Sequence, residues 1–168
     1  MHRPIVTRFM LTGLLLAFVD GESRAGDSWP QLLGNAQRSG NVADEVLPES
    51  LGLAGTVALS DGIYASPVVS DGSAYVIDGS GIVFAIDIET LEVRWKFATE
   101  GGPGNCNNVA APAVAGKFLH VGTTAGYYYV LDREDGSVVK RLDFAEPVFS
   151  APAVGNDRVY VATLGAQV

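Results

Sequence analysis

The chain repeats itself. Ala65-Ser66-Pro67-Val68-Val69, then Ala74-Tyr75-Val76, then Phe84-Ala85-Ile86-Asp87 returns 45 residues later as Ala110-Ala111-Pro112-Ala113-Val114, Leu119-His120-Val121 and Tyr129-Val130-Leu131-Asp132. A third copy opens 40 residues further on, with Ser150-Ala151-Pro152-Ala153-Val154 and Val159-Tyr160-Val161. Gly81 and Gly126 each follow their proline by 14 residues, and Asp87 and Asp132 each follow it by 20. A period of about 40–45 residues built from short apolar runs marks the blade of a β-propeller, which closes by radial repetition.

The spacing predicts four strands in the first copy, at 64–69, 74–78, 83–87 and 92–97. Turn residues Ser70-Asp71-Gly72, Gly79-Ser80-Gly81 and Glu89-Thr90-Leu91 lie between them. It predicts 109–115, 118–122, 127–132 and 137–142 in the second. These turn residues tolerate positive φ or hydrogen-bond their own backbone. No 3.6-residue periodicity competes after the first 25 residues, so the fold class is all-β, in antiparallel four-stranded blades. The small residues Ala65-Ser66-Pro67, Ala110-Ala111-Pro112 and Ala151-Pro152-Ala153 suit the innermost strands, where sheets crowd around the axis, and an inner edge tolerates proline. Two full blades, part of a third and a lone strand predicted at 53–59 make a partial propeller of about two and a half blades. Complete rings have about 4–8 blades. The expectation is a piece of a larger ring, or one that associates with copies of itself.

Three regions follow. Residues 1–25 read as a secretory signal peptide: His2, Arg3 and Arg8 form a basic start, Phe9 to Val19 is an apolar stretch, and Ser23-Arg24-Ala25 offers a small-residue cut site. The apolar stretch is short for a membrane span of about 20 residues. The expectation is therefore export to the periplasm or beyond, with membrane attachment only if the segment stays uncleaved. No cysteine near the cut offers a lipid attachment point. Residues 26–52 are a polar lead-in containing Trp29-Pro30-Gln31-Leu32-Leu33-Gly34-Asn35, in which Pro30, Gly34 and Gly40 argue against a regular element. Residues 53–168 carry the repeats.

Composition excludes some functions. The net charge is −8, and cleavage after Ala25 would move it to −9. Lys and Arg are scattered, so nucleic-acid binding has no electrostatic footing. The single cysteine, Cys106, cannot form an internal disulfide, and no CxxC, CxxCH or HExxH occurs. No metal site and no Ser/His/Asp arrangement is visible. His120 shares its repeat position with Tyr75 and Tyr160, which reads as a strand side chain rather than a base.

Ala85-Ile86-Asp87-Ile88-Glu89-Thr90-Leu91-Glu92-Val93-Arg94-Trp95 resembles the tryptophan-docking motif of PQQ-like, quinoprotein-type propeller repeats, approximately A-x-D-x-x-T-G-x-x-x-W. The second copy keeps Asp132 and Gly136 but has Lys140 in the tryptophan position, and the first has Leu91 in the glycine position. The resemblance covers about Tyr64 to Ala162. The family includes PQQ-dependent alcohol dehydrogenases and cofactor-free propellers of the BamB type. It implies structural roles for Asp87, Thr90, Trp95, Asp132 and Gly136: the Asp accepts N–H bonds across its turn, and the Trp packs between blades. Trp95 would face either the second repeat or the preceding one, and Lys140 would make a weaker joint with its aliphatic stem. Quinone-binding members use adjacent cysteines and a Ca²⁺ held by Glu, Asn and Asp. With no adjacent cysteines here, the expectation is no cofactor and a non-enzymatic binding or assembly scaffold with a protein or small-ligand partner on the propeller face. The alternative is a fragment of a PQQ-dependent alcohol or sugar dehydrogenase, with PQQ and Ca²⁺.

The segment from Glu100 to Asn108 makes the first period five residues longer than the second. Its Asn105, Cys106, Asn107 and Asn108 are the candidate ligand-binding residues, on a connection that reaches the face near the axis.

Overall fold

The computed structural model describes residues 28–41, 52–53 and 55–165. The expected signal peptide lies outside them. Among the described residues, ten strands form three antiparallel sheets. The first holds β1 (Val68–Ser70), β2 (Ser73–Ile77), β3 (Ile82–Asp87) and β4 (Val93–Ala98) in chain order. The second holds β5 (Ala113–Ala115), β6 (Phe118–Gly122), β7 (Tyr127–Asp132) and β8 (Val138–Asp143). The third is the hairpin β9 (Ala153–Gly155) and β10 (Arg158–Tyr160). This is the expected partial propeller of two blades and the opening of another.

Local chemistry sets these hairpins. Two residues join β1 to β2, and both Asp71 and Gly72 have positive φ (47° and 71°). Asn156 and Asp157 repeat this at β9–β10, with 51° and 58°. Such turns match the right-handed twist of the paired strands. The repeat extends to irregularities: β3 and β4 slip register between Ala85 and Ile86, and β7 and β8 slip at the equivalent Val130 and Leu131. The core is the seam between blades. Val68, Tyr75, Ile77, Val83 and Ala85 of the first pack with Val114, Leu119, Val121, Tyr129 and Leu131 of the second.

Three expectations need correction. The innermost strands begin just after the prolines, at Val68, Ala113 and Ala153, rather than at Tyr64 or Val109. Ala65, Ala110, Ala111 and Ala151 are buried, as crowding at the axis demands, but their backbones pair with no neighbouring strand. The lone strand expected at 53–59 is not formed in the described part of that segment. Instead Val57 and Leu59 lie against Val76, Phe84 and Ile86, covering the outer face of the first blade.

The lead-in holds neither helix nor strand in residues 28–41, yet it is tied to every repeat. Trp29 exchanges two backbone hydrogen bonds with Val69, of 2.6 and 2.9 Å. The Val114 N–H donates to the Pro30 carbonyl at 2.6 Å. The Gln31 side chain accepts from Val154 N–H (3.0 Å) and donates to its carbonyl (3.3 Å). Val69, Val114 and Val154 each stand two residues past their proline. Successive lead-in residues therefore satisfy the axial edge of successive blades, whose N–H and C=O groups need partners when buried.

Candidate functional site

The seam between the blades is built around Trp95. Its Nε1–H donates to the Arg133 carbonyl at 2.9 Å, and the Tyr75 hydroxyl donates to the same oxygen at 3.4 Å. The ring lies on Gly136, where φ is 74° and an added Cβ would meet Trp95 carbons at 2.6 Å. Glycine is required there twice over, by the left-handed backbone and by the ring above it. Phe97 meets Tyr129 edge-on at 5.3 Å between centroids, extending the aromatic contact. Trp95 thus faces the second repeat. Asp87 accepts the N–H groups of Glu89 and Thr90, both at 2.9 Å, and pairs with Arg94. The Arg94 guanidinium and these N–H groups hold its carboxyl far below the usual carboxylate range. Asp132 accepts from Glu134 N–H at 2.9 Å in the equivalent turn.

On the leading side of the first blade the same joint is inverted in size. Leu91, with φ 61°, occupies the position of Gly136. Its Cδ1 lies 2.2 Å from where a Cβ on Gly55 would be. A leucine on the turn and a glycine opposite replace a glycine on the turn and a tryptophan opposite.

The loop from Gly101 to Asn108 opens with a single 3-10 turn at Gly102–Gly104. Asn108 is fully buried and joins the two blades. Its amide donates to the Gly79 carbonyl (3.2 Å) and to Asn105 Oδ1 (3.0 Å), while its Oδ1 accepts from Thr124 N–H (3.0 Å). Asn105, also buried, donates to Thr99 Oγ1 at 2.6 Å. Gly81 admits it, since a Cβ there would lie 2.2 Å from Asn105 Nδ2. These two candidates are engaged inside the loop, whereas Cys106 and Asn107 face solvent. The structure does not bring the four together around a common cavity.

Two other features were not singled out by the sequence reading. Asp78 and Thr123 hold equivalent positions and are fully buried. Asp78 accepts from Ile82 N–H at 2.9 Å, and Thr123 Oγ1 accepts from Tyr127 N–H at 3.2 Å. Each locks the turn into its blade's third strand. Burial pushes the Asp78 carboxyl up, but hydrogen bonds from Ser60, Ile82 N–H and Ser80 outweigh it and hold it below its ordinary value. Matching positions 78 and 123 in the repeat would have flagged this pair.

The second feature is a largely apolar groove of about 280 Å³ on the trailing face of the second blade. His120, Tyr128, Val130, Lys140, Leu142 and Phe144 line it, with Val159 and Val161 opposite. Position for position, His120, Val130, Lys140 and Leu142 repeat Tyr75, Ala85, Trp95 and Phe97 of the first seam. Tyr128 and His120 are hydrogen-bonded at 2.9 Å between Oη and Nδ1. Burial raises the Tyr128 phenol and lowers the His120 imidazole, so both are neutral at pH 7.

Comparison with known proteins accords with this architecture. The family model described as outer membrane protein assembly factor BamB matches residues 52–126 and again 109–168. BamB of Legionella pneumophila is 28% identical over 134 residues, which span 74% of this chain and 33% of that protein. The chain therefore spans about a third of the length of that relative. Among solved structures, quinohemoprotein alcohol dehydrogenase from Comamonas testosteroni aligns with a TM-score of 0.65 at 25% identity, over 79% of this chain and 22% of its own. BamB from Moraxella catarrhalis aligns with a TM-score of 0.58 at 23% identity, over 64% of this chain and 36% of its own.

Proposed function

This chain belongs to the outer membrane protein assembly factor BamB family, and from that premise we propose that it forms part of an exported β-propeller serving as a non-enzymatic binding or assembly scaffold. The observation that carries this reading is the doubled family match over the repeats. It is supported by the use of the polar and aromatic repeat residues. Asp87, Trp95, Asn105, Asn108 and Thr123 each bond to a turn, a loop or the next blade. The partner is a protein held on the propeller face, in the periplasm or outside the cell. In vivo cross-linking from a photoreactive residue at position 107, followed by mass spectrometry, tests it. Recovery of a discrete envelope protein is the expected result, and a chain retained in the cytoplasm contradicts it.

A second reading, a portion of a PQQ-dependent dehydrogenase, is favoured by the alignment with quinohemoprotein alcohol dehydrogenase. The described residues do not fit a quinone and Ca²⁺ site. Cys106 is the single cysteine, the Asn105 and Asn108 amides are engaged, and no group of three His, Cys, Asp or Glu among the described residues could hold a metal ion. Dye-linked alcohol oxidation after adding PQQ and Ca²⁺ separates the readings. Turnover would replace the scaffold proposal.

A further inference from the structure

Among the described residues, aspartate is followed by glycine at Asp61-Gly62, Asp71-Gly72, Asp78-Gly79 and Asp135-Gly136. This dipeptide is open to spontaneous rearrangement, because glycine has no side chain to shield its nitrogen from the carboxyl before it. The reaction needs that nitrogen beside the carboxyl carbon, and a carboxyl that can take a proton and lose an oxygen as water. Three of the four pairs are folded against it. The Arg133 guanidinium and Ser70 Oγ hold the Asp71 carboxyl below the usual carboxylate range. Asp78 accepts from Ser60, Ser80 and Ile82 N–H, and the Gly79 N–H is turned away to the Gly62 carbonyl at 2.7 Å. Asp135 accepts from Ser137 N–H at 2.8 Å, and the Gly136 N–H is spent on the Asp132 carbonyl at 2.9 Å.

Asp61-Gly62 is arranged the other way. The Gly62 N–H donates to the Asp61 carboxyl itself, at 2.7 Å from Oδ1. That contact sets the nitrogen against the carboxyl, in the range of near-attack geometries, where reacting atoms lie about 3–3.5 Å apart. Among the described residues the Asp61 carboxyl has no other hydrogen-bond partner and no cation beside it. Both residues are exposed. One repeat on, the same positions are Cys106 and Asn107, which face solvent with a blade on either side, so this loop position is an open one in the fold.

We propose that Asp61-Gly62 is a site of spontaneous isoaspartate formation, selected by the fold from four copies of one dipeptide. The Gly62 nitrogen bonds to Asp61 Cγ, and the protonated carboxyl loses its hydroxyl, which leaves as water with the nitrogen's proton. Water then adds to the Asp61 α-carbonyl carbon of the resulting succinimide and breaks its bond to the Gly62 nitrogen. The main chain now runs through Cγ, longer by one carbon, at unchanged mass. That carbon enters between two clasps: Ser60 Oγ donating to Asp78, and the Gly62 carbonyl accepting from Gly79 N–H. They secure the end of the 55–62 segment, whose Val57 and Leu59 cover the outer face of the first blade. Rearrangement loosens that cover. The proposal rests on local geometry and stands whether or not the scaffold reading holds.

The full chain is aged at neutral pH in H₂¹⁸O, native and in parallel in urea, then digested. Electron-transfer fragmentation separates isoaspartate from aspartate in each Asp-Gly peptide, and each ring opening leaves one heavy oxygen. In the native chain, heavy-labelled isoaspartate at position 61 should exceed that at 71, 78 or 135 by roughly tenfold or more. In urea the four should converge. Gly62→Ala crowds the attacking nitrogen and should slow the reaction on the order of tenfold, with the other three pairs unchanged. Its added Cβ is accommodated, since φ is not left-handed and the nearest atoms, from 3.3 Å, all belong to the exposed Tyr64 side chain. No isoaspartate at position 61, equal amounts at all four in the native chain, or indifference to Gly62→Ala would each overturn the proposal.

Discussion

Between the first two blades, position 95 holds a tryptophan that reaches the Arg133 carbonyl and lies flat on Gly136. One repeat later the same position is Lys140, and the matching face is an open groove. The strand order and register slips of the two blades are otherwise alike. A blade is therefore a local product of its repeat, set by two-residue turns and alternating apolar positions. A seam is not, because it needs a turn from the following blade and a residue large enough to reach it. Blade formation and blade joining are separable properties of one sequence.

Substitutions should show that separation. Trp95→Ala removes the ring and its hydrogen bond from the filled seam. It should cost about 3 kcal/mol in chemical denaturation, near the lower end for aromatic truncation because the ring is only partly buried. A loss under 1 kcal/mol would mean that the tryptophan does not hold the blades. Gly136→Ala leaves the tryptophan but puts a Cβ under it, on a left-handed backbone. The expected cost is about 2 kcal/mol, with the fluorescence of Trp95 changed as the ring is displaced.

Asp78→Asn tests the turn lock rather than the seam. The Asp78 carboxyl is held below its ordinary value of 3.8, so the ionised form is the one that stabilises the fold. That contribution is complete above the unfolded value and is lost as pH falls through the lower, folded one. The variant should lose about 1 kcal/mol at pH 7. Its stability should also decline less steeply than the parent's below pH 3.8. An unchanged acid slope would assign the pH dependence to other carboxylates.

Lys140→Trp should have the smallest effect, within about 0.5 kcal/mol, as for exposed positions generally. Among the described residues a tryptophan there meets neither a glycine turn to lie on nor a carbonyl to accept its N–H. A large gain would mean that residue size alone makes a seam.

The residues that made the fold legible are those with a counterpart at a fixed offset: Pro67 with Pro112, Gly81 with Gly126, Asp87 with Asp132. Their equal spacing reports equal local structure, and both four-stranded sheets followed from it. Ala65 and Ala110 misled the strand limits, because small buried residues at the axis look like strand yet have no strand beside them. The lead-in was opaque for another reason. Trp29 and Pro30 act through backbone groups, and Gln31 acts 123 residues away, so composition carries no trace of the contact. The Gly101–Asn108 loop was visible as an insertion. That Asn105 turns inward depends on glycines 81 and 101 leaving room, which only the packing reveals.

The direct test of the contrast between seams is native-state hydrogen exchange on the full chain, resolved by strand. Amides of β2, β3, β6 and β7 flank the filled seam and should exchange slowest. Amides of β9 and β10, a two-stranded sheet among the described residues, should exchange fastest among the paired residues through local opening. Protection of residues 158–160 equal to that of residues 118–122 would contradict the account, because the second seam would then be as closed as the first.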